Sequence, residues 1–181
     1  MCVNSKELHN YRLLNRFARK NSVVILGSTY AQEMPVGELK QIFGILSDIY
    51  NRSLSELSVF EAKEIAEEII TELMPKKIVL QLGETDLDNG SDVDAVISEI
   101  SSIISKIKKM DKSTEIILVS LNNLNDKLME ADFNTKLEKT ASKTNCTFVD
   151  ISSASGDDPS RINAFRILRY FLSDDLTLQI I

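Results

Sequence analysis

The stretch Val23-Val24-Ile25-Leu26-Gly27-Ser28-Thr29-Tyr30-Ala31-Gln32 governs the reading of this chain. Four apolar residues, mostly β-branched, run into a glycine and then two adjacent hydroxyls. An apolar run without alternation suits a parallel strand buried on both faces, and its end delivers polar side chains to the edge of a sheet. The question it raises is whether Ser28 or Thr29 is a nucleophile.

Similar runs recur at residues 48–54, 77–82, 115–120 and 147–151. The segments between them have helical period. Residues 61–74 place Ile65, Ala66, Ile69, Ile70 and Leu73 on one stripe, and residues 92–110 do the same with Val93, Val96, Ile97, Ile100, Ile104 and Ile107. A weaker amphipathic helix is expected over 127–143, a closing one over 162–172, and one over 5–20 before the first strand. Strands separated by helices predict a parallel sheet covered on both faces, a three-layer α/β/α fold of about five strands. Function in such sheets gathers at the carboxyl ends of the strands, where strand order reverses. That directs attention to residues 27–29, 53–56, 83–86, 122–123 and 152–161.

With 181 residues, 43% of them hydrophobic, the chain is long enough for one sizeable core and short for two. A net charge of −6 argues against a nucleic-acid partner. The densest basic stretch, Lys106-Ile107-Lys108-Lys109, ends a helical pattern, where cations suit the helix dipole. Cys2 and Cys146 alone supply neither a disulfide framework nor a thiolate metal cluster, which fits a reducing cytoplasm. Residues 1–10 lack an apolar leader and no apolar run reaches membrane-spanning length, so neither export nor a membrane partner is expected. His9, the only histidine, falls on the first helix, away from the strand ends, and Cys146 is expected in the core. Asp86, Asp88, Asp92 and Asp94 lack the spacing of a calcium loop, so no metal or cofactor is expected.

The blocks after the strands, taken in order, resemble the SGNH or GDSL hydrolase family. Gly27-Ser28-Thr29 stands where that family has Gly-Asp-Ser, and Asn51-Arg52-Ser53-Leu54-Ser55-Glu56 where it has Asn-Arg-Gly-Ile-x-Gly. Gly83-Glu84-Thr85-Asp86 stands for Gly-x-Asn-Asp, and Asp158-Pro159-Ser160-Arg161 for Asp-x-x-His. The resemblance implies one domain over 1–181, with a core over 23–172 and residues 1–20 as a helical extension. It also implies acylhydrolase ancestry. In the family a serine attacks an acyl carbonyl, a histidine takes its proton, and an aspartate orients the histidine.

Carried over position by position, the resemblance puts Thr29, Asp158 and Arg161 at the catalytic positions. It puts Thr29, Glu56 and Thr85 at the oxyanion hole, with Ser28, Glu84 and Asp86 on the rim. Of the catalytic and oxyanion positions, only Asp158 keeps its family identity. A guanidinium stays protonated and cannot serve as the base. A carboxylate beside a developing oxyanion raises its energy, so Glu56 is expected to turn outward into solvent. Thr29 is expected to cap the following helix, Thr85 to close the turn after the third strand, and Arg161 to pair with Glu56, Glu84 or Asp158 across the cleft. The reading that follows is a hydrolase-fold protein without catalysis, in a binding or structural role, with an acyl or carbohydrate ester as its small-molecule ligand. Two alternatives stand beside it. One is an active esterase using Thr29. The other is a flavodoxin-like binding domain, whose phosphate loop Gly27–Gln32 makes poorly because of the bulk of Tyr30.

Overall fold

The structure is a computed structural model that describes residues 5–154 and 160–173. In chain order its elements are α1 (Ser5–Asn15), β1 (Val23–Gly27), α2 (Thr29–Gln32), α3 (Val36–Ile42), β2 (Ile49–Asn51), α4 (Val59–Leu73) and β3 (Lys77–Gln81). Then come α5 (Glu84–Asp88), α6 (Val93–Met110), β4 (Glu115–Val119), α7 (Lys127–Thr144), β5 (Thr147–Val149) and α8 (Ser160–Leu172). The five strands are all parallel, in the order β2-β1-β3-β4-β5. From β1 the chain goes to one side for β2 and then to the other for β3. The switch point therefore lies between the carboxyl ends of β1 and β3.

Alternation along the strands feeds two cores. Val24, Leu26, Ile78, Leu80, Ile116 and Leu118 pack against α4, α6 and α7. Val23, Ile25, Val79, Ile117, Val119 and Val149 pack against α2, α3 and α8 on the opposite face. Burial on both faces is why these strands read as unbroken apolar runs.

Local signals set the helix ends. Ser58 and Glu61 form a reciprocal capping box at the start of α4, which buries the stripe of Ile65, Ala66, Ile69, Ile70 and Leu73. Asp92 caps α6 through the Ala95 amide, and Asp126 caps α7 through the amides of Leu128 and Met129. Met74 and Asn145 end α4 and α7 in the left-handed conformation. Lys108 and Lys109 occupy the last turn of α6, and Lys108 Nζ donates to the Thr144 and Asn145 carbonyls. Among the described residues, no helix is long and apolar enough to cross a membrane.

Several boundaries differ from the sequence expectation. Strands expected over 48–54 and 147–151 shorten to Ile49–Asn51 and Thr147–Val149, because the edge strands find a partner on one side only. The helix expected over 5–20 stops at Asn15, whose side chain is buried in hydrogen bonds to Arg52 Nε and Glu72. Cys146 precedes β5 and is only partly buried, its thiol within reach of the Thr144 carbonyl.

Two glycines after the third strand separate strain from crowding. A Cβ on Gly83, at φ +111°, would stand 2.9 Å from the ring of fully buried Phe133, whereas one on Gly90, at φ +84°, would meet open space. Gly90→Ala is expected to cost about 1 kcal/mol from the left-handed backbone alone. Gly83→Ala adds overpacking, for a total of about 2–4 kcal/mol. Urea unfolding of the two variants measures the difference, and equal losses would contradict the packing account.

Candidate active site

The carboxyl ends of β1 and β3 border a cleft of about 400 Å³ lined by Thr29, Glu56, Glu84, Thr85, Asp88 and Asn89. It lies at the switch point that the topology marks. Thr29 is the first residue of α2 and is half-buried. Its hydroxyl does not cap that helix. Oγ1 instead accepts the backbone N–H of Glu56 across the cleft at 3.0 Å, with Ser55 Oγ 3.4 Å away. The cap expected from sequence gives way to a bond between the first and second blocks.

Glu56 is exposed, as expected of a carboxylate, yet still lines the cleft, and its φ is +57°. This is the left-handed region, which costs a non-glycine residue roughly 1–2 kcal/mol. The backbone therefore adopts a glycine-type conformation at a position occupied by glutamate, and that conformation aims the amide at Thr29.

Thr85, in the first turn of α5, closes that turn with its carbonyl, which accepts the Asn89 N–H, and uses its hydroxyl elsewhere. Its Oγ1 lies 2.6 Å from Ser28 Oγ, joining the loops after β1 and β3. Ser28, expected on the rim, is fully buried beneath it. Asp86, also expected on the rim, is buried, and its carboxylate accepts the Val59 N–H at the start of α4. Burial pushes the Asp86 carboxyl above its usual range, against the pull of that amide.

Glu84 does reach the cleft. Burial raises its carboxyl from the ordinary value, aided by nearby Asp88 and opposed by hydrogen bonds from Asn123 and the Tyr30 amide and by the charge of Arg161. Arg161 itself pairs with neither Glu56 nor Glu84. It donates to Glu33, just past the end of α2, and its guanidinium lies 5.2 Å over the ring of Tyr30. The expected pairings with Glu56 and Glu84 are thus not formed, because α2 brings Glu33 up to the first turn of α8, while the one with Asp158 falls outside the described residues. Asp158 lies outside the described residues. His9 is exposed on α1. Among the described residues, no group of three or more His, Cys, Asp or Glu side chains is placed to hold a metal ion.

Ser55 fell within the stretch 53–56 without a role of its own, and Asp88, Asn89 and Glu33 were not expected at the site. Asp88 and Asn89 lie one helical turn beyond Glu84 and Thr85, so a helix expected after Gly83 would have found them. Glu33 carries no such signal.

The N-terminal helix braces this region. Glu7 accepts from Gln32 at the end of α2, and the Tyr11 hydroxyl donates to the Ser53 carbonyl at 3.0 Å in the second block. Burial and then the charge of Glu7 push the Tyr11 hydroxyl up to about 12.

No family model matches the chain, and no curated protein matches it. Solved structures do. A candidate platelet activating factor from Streptococcus pneumoniae superposes with a TM-score of 0.75 over 92% of this chain and 91% of its own, at 18% identity. A GDSL-like lipase from Bacteroides thetaiotaomicron gives 0.69 over 85% and 82%, at 15% identity. The psychrotrophic esterase EstA from Pseudoalteromonas gives 0.68 over 84% and 99%, at 15% identity.

The chain has the SGNH-hydrolase fold. The cleft lies between the ends of β1 and β3, the strand ends to which the sequence resemblance assigned its first and third blocks. Identity this low carries the architecture and leaves the chemistry to the residues themselves.

Two outcomes follow from the site. Glu56→Gly relieves the left-handed backbone and is expected to stabilise the protein by about 0.5–1 kcal/mol in urea unfolding, the reverse of the usual glycine effect. For Glu84, a raised folded pKa means that the native state binds the proton more tightly than the unfolded one. Its contribution is present at and below the unfolded value of 4.5 and is lost as pH rises through the higher folded value. The stability difference between wild type and Glu84→Gln should fall as pH climbs from 4.5, and a difference that grows with pH would reverse the assignment.

Proposed function

We propose that this SGNH-fold protein does not hydrolyse esters and serves as a binding or structural protein that retains the cleft. The observation that carries this reading is the bond from the Glu56 amide to Thr29 Oγ1. The oxygen at the nucleophile position is held by the amide at the oxyanion-glycine position. The hydroxyl's hydrogen-bond partners among the described residues, that amide and Ser55 Oγ, are not bases. The base position holds a permanent cation engaged with Glu33.

The cleft's carboxylates at Glu56, Glu84 and Asp88 disfavour the negative charge that develops on an acyl carbonyl in the transition state. The same carboxylates accept hydrogen bonds from hydroxyls, so the ligand this site suits is a neutral, hydroxyl-rich one of carbohydrate type. The second reading, an esterase with Thr29 as nucleophile, draws its support from the glycine-type φ of Glu56, which keeps an amide aimed at the hydroxyl.

Turnover of short p-nitrophenyl esters separates the two. Wild type is expected to match the buffer rate. The quadruple variant Thr29→Ser, Glu56→Gly, Thr85→Asn and Arg161→His is expected to rise about 100-fold above it, the scale of one restored oxyanion donor. Clear wild-type turnover that Thr29→Val abolishes would overturn the non-catalytic reading.

A further inference from the structure

The outer flank of α1 and the neighbouring β2 edge carry an apolar surface that the fold does not cover. Inward, α1 packs Leu8 and Tyr11 against the core and buries Asn15. On its other flank Leu13 and Leu14 are exposed, and Phe17, in the turn that extends the helix, is 87% exposed. Leu46, in the loop before β2, is 85% exposed and Ile42, at the end of α3, 65%. The Arg19–Asp48 ion pair at 3.5 Å and the Arg19 amide on the Tyr50 hydroxyl join the end of the α1 segment to the loop that carries Leu46. Phe17 and Leu46, each two residues from that ion pair, therefore stand near one edge of the molecule. Single exposed apolar residues are ordinary, but several large ones gathered at one edge mark an interaction surface.

The charge around them is distinctive. Residues 6–20 hold Lys6, Arg12, Arg16, Arg19 and Lys20 against Glu7 alone, a local net charge of +4 in a chain of net charge −6. Arg12 is engaged by Glu68 and Arg19 by Asp48. Lys6, Arg16 and Lys20 are exposed on the same segment. A second copy docking by this face would bring these cations against themselves. An anionic occupant complements them. The apolar groups project outward from a helix flank and the loop before β2, which suits a deformable layer that accepts inserted side chains better than a partner that must supply a matching groove.

We propose that the α1/β2 edge docks on an anionic phospholipid surface, with Phe17 and Leu46 entering the acyl boundary and Arg16, Lys20 and Lys6 meeting the headgroups. Distant acidic charges do not prevent this, because at about 0.15 M salt they are screened beyond roughly 8 Å while the cations at contact are not. The proposal concerns surface attachment, so the lack of a membrane-spanning helix among the described residues does not bear on it, and it is independent of the cleft and its chemistry.

Co-sedimentation of the full chain tests it, using vesicles of about three parts phosphatidylcholine to one part phosphatidylglycerol, beside pure phosphatidylcholine, at low and high salt. Binding should favour the anionic vesicles by at least about five-fold, the weight of one cation at such a surface, and weaken at high salt. Arg16→Glu should lower it about 25-fold through a two-unit change in charge. Phe17→Ser with Leu46→Ser should abolish it while leaving the melting temperature unchanged, since both residues are exposed. Equal binding to neutral vesicles, no binding, or undiminished binding by the double serine variant would overturn the proposal. So would a concentration-dependent dimer in solution that the same variant dissociates.

Discussion

At Gly27 the chain leaves β1 and turns into α2 with no room for a side chain. A Cβ there would stand 2.6 Å from both the Ala31 Cβ and the Gln81 carbonyl. Because β1 and β3 meet so closely at this level, the Ser28 amide still bonds the Gln81 carbonyl after the strand has ended. Ser28 is then held under Thr85, and Thr29 is carried to the loop after β2. Each hydrogen bond that shapes the cleft descends from that approach. The site is therefore set by the packing of two strands before any of its own chemistry enters.

The electrostatics of the cleft follow from where the cation went. Had Arg161 turned toward Glu84, the two would have neutralised one another beside Thr29. Instead Glu33, placed by the short α2, holds the guanidinium over Tyr30. Tyr30 in turn is buried, and its hydroxyl accepts from Asn122 at 2.9 Å after β4. Glu84 is left with amide donors as its hydrogen-bond partners, and burial outweighs them in raising its carboxyl. Arg161 tempers that shift at a distance and makes no contact.

The sheet and the long helices were legible because burial writes itself into the sequence. Val23–Gly27 is buried at every position, and the stripes of α4 and α6 recur at helical spacing. The short helices α2, α3 and α5 left no such trace. Four to seven residues cannot show a period, and tertiary contacts such as Tyr30 and Leu39 in the second core hold them instead. The strand ends that border the cleft were legible, whereas the partners of Thr29, Thr85 and Arg161 were not. A hydroxyl or a guanidinium reaches donors and acceptors on segments that only the fold brings together. Glu33 and Arg161, separated by 128 positions, illustrate this.

The left-handed backbone at Glu56 shows which part of the site the fold itself maintains. Glycine would adopt that conformation without penalty, and glutamate does so at a cost of roughly 1–2 kcal/mol. The loop on either side explains why the cost is met. Arg52 and Leu54 donate their amides to the carbonyls of Ile25 and Gly27, extending the β1 pairing past the end of β2, and Leu54 and Leu57 are both fully buried. Two anchors only three residues apart leave Ser55 and Glu56 to complete the turn in the conformation that remains. Once those leucines are packed, the amide points at Thr29 whatever side chain position 56 carries. The direction of the Glu56 amide is therefore enforced by the hydrophobic core and not by the side chain at position 56. Arg161 is under no such backbone constraint: at the start of α8 its side chain settles where it finds a carboxylate and an aromatic ring.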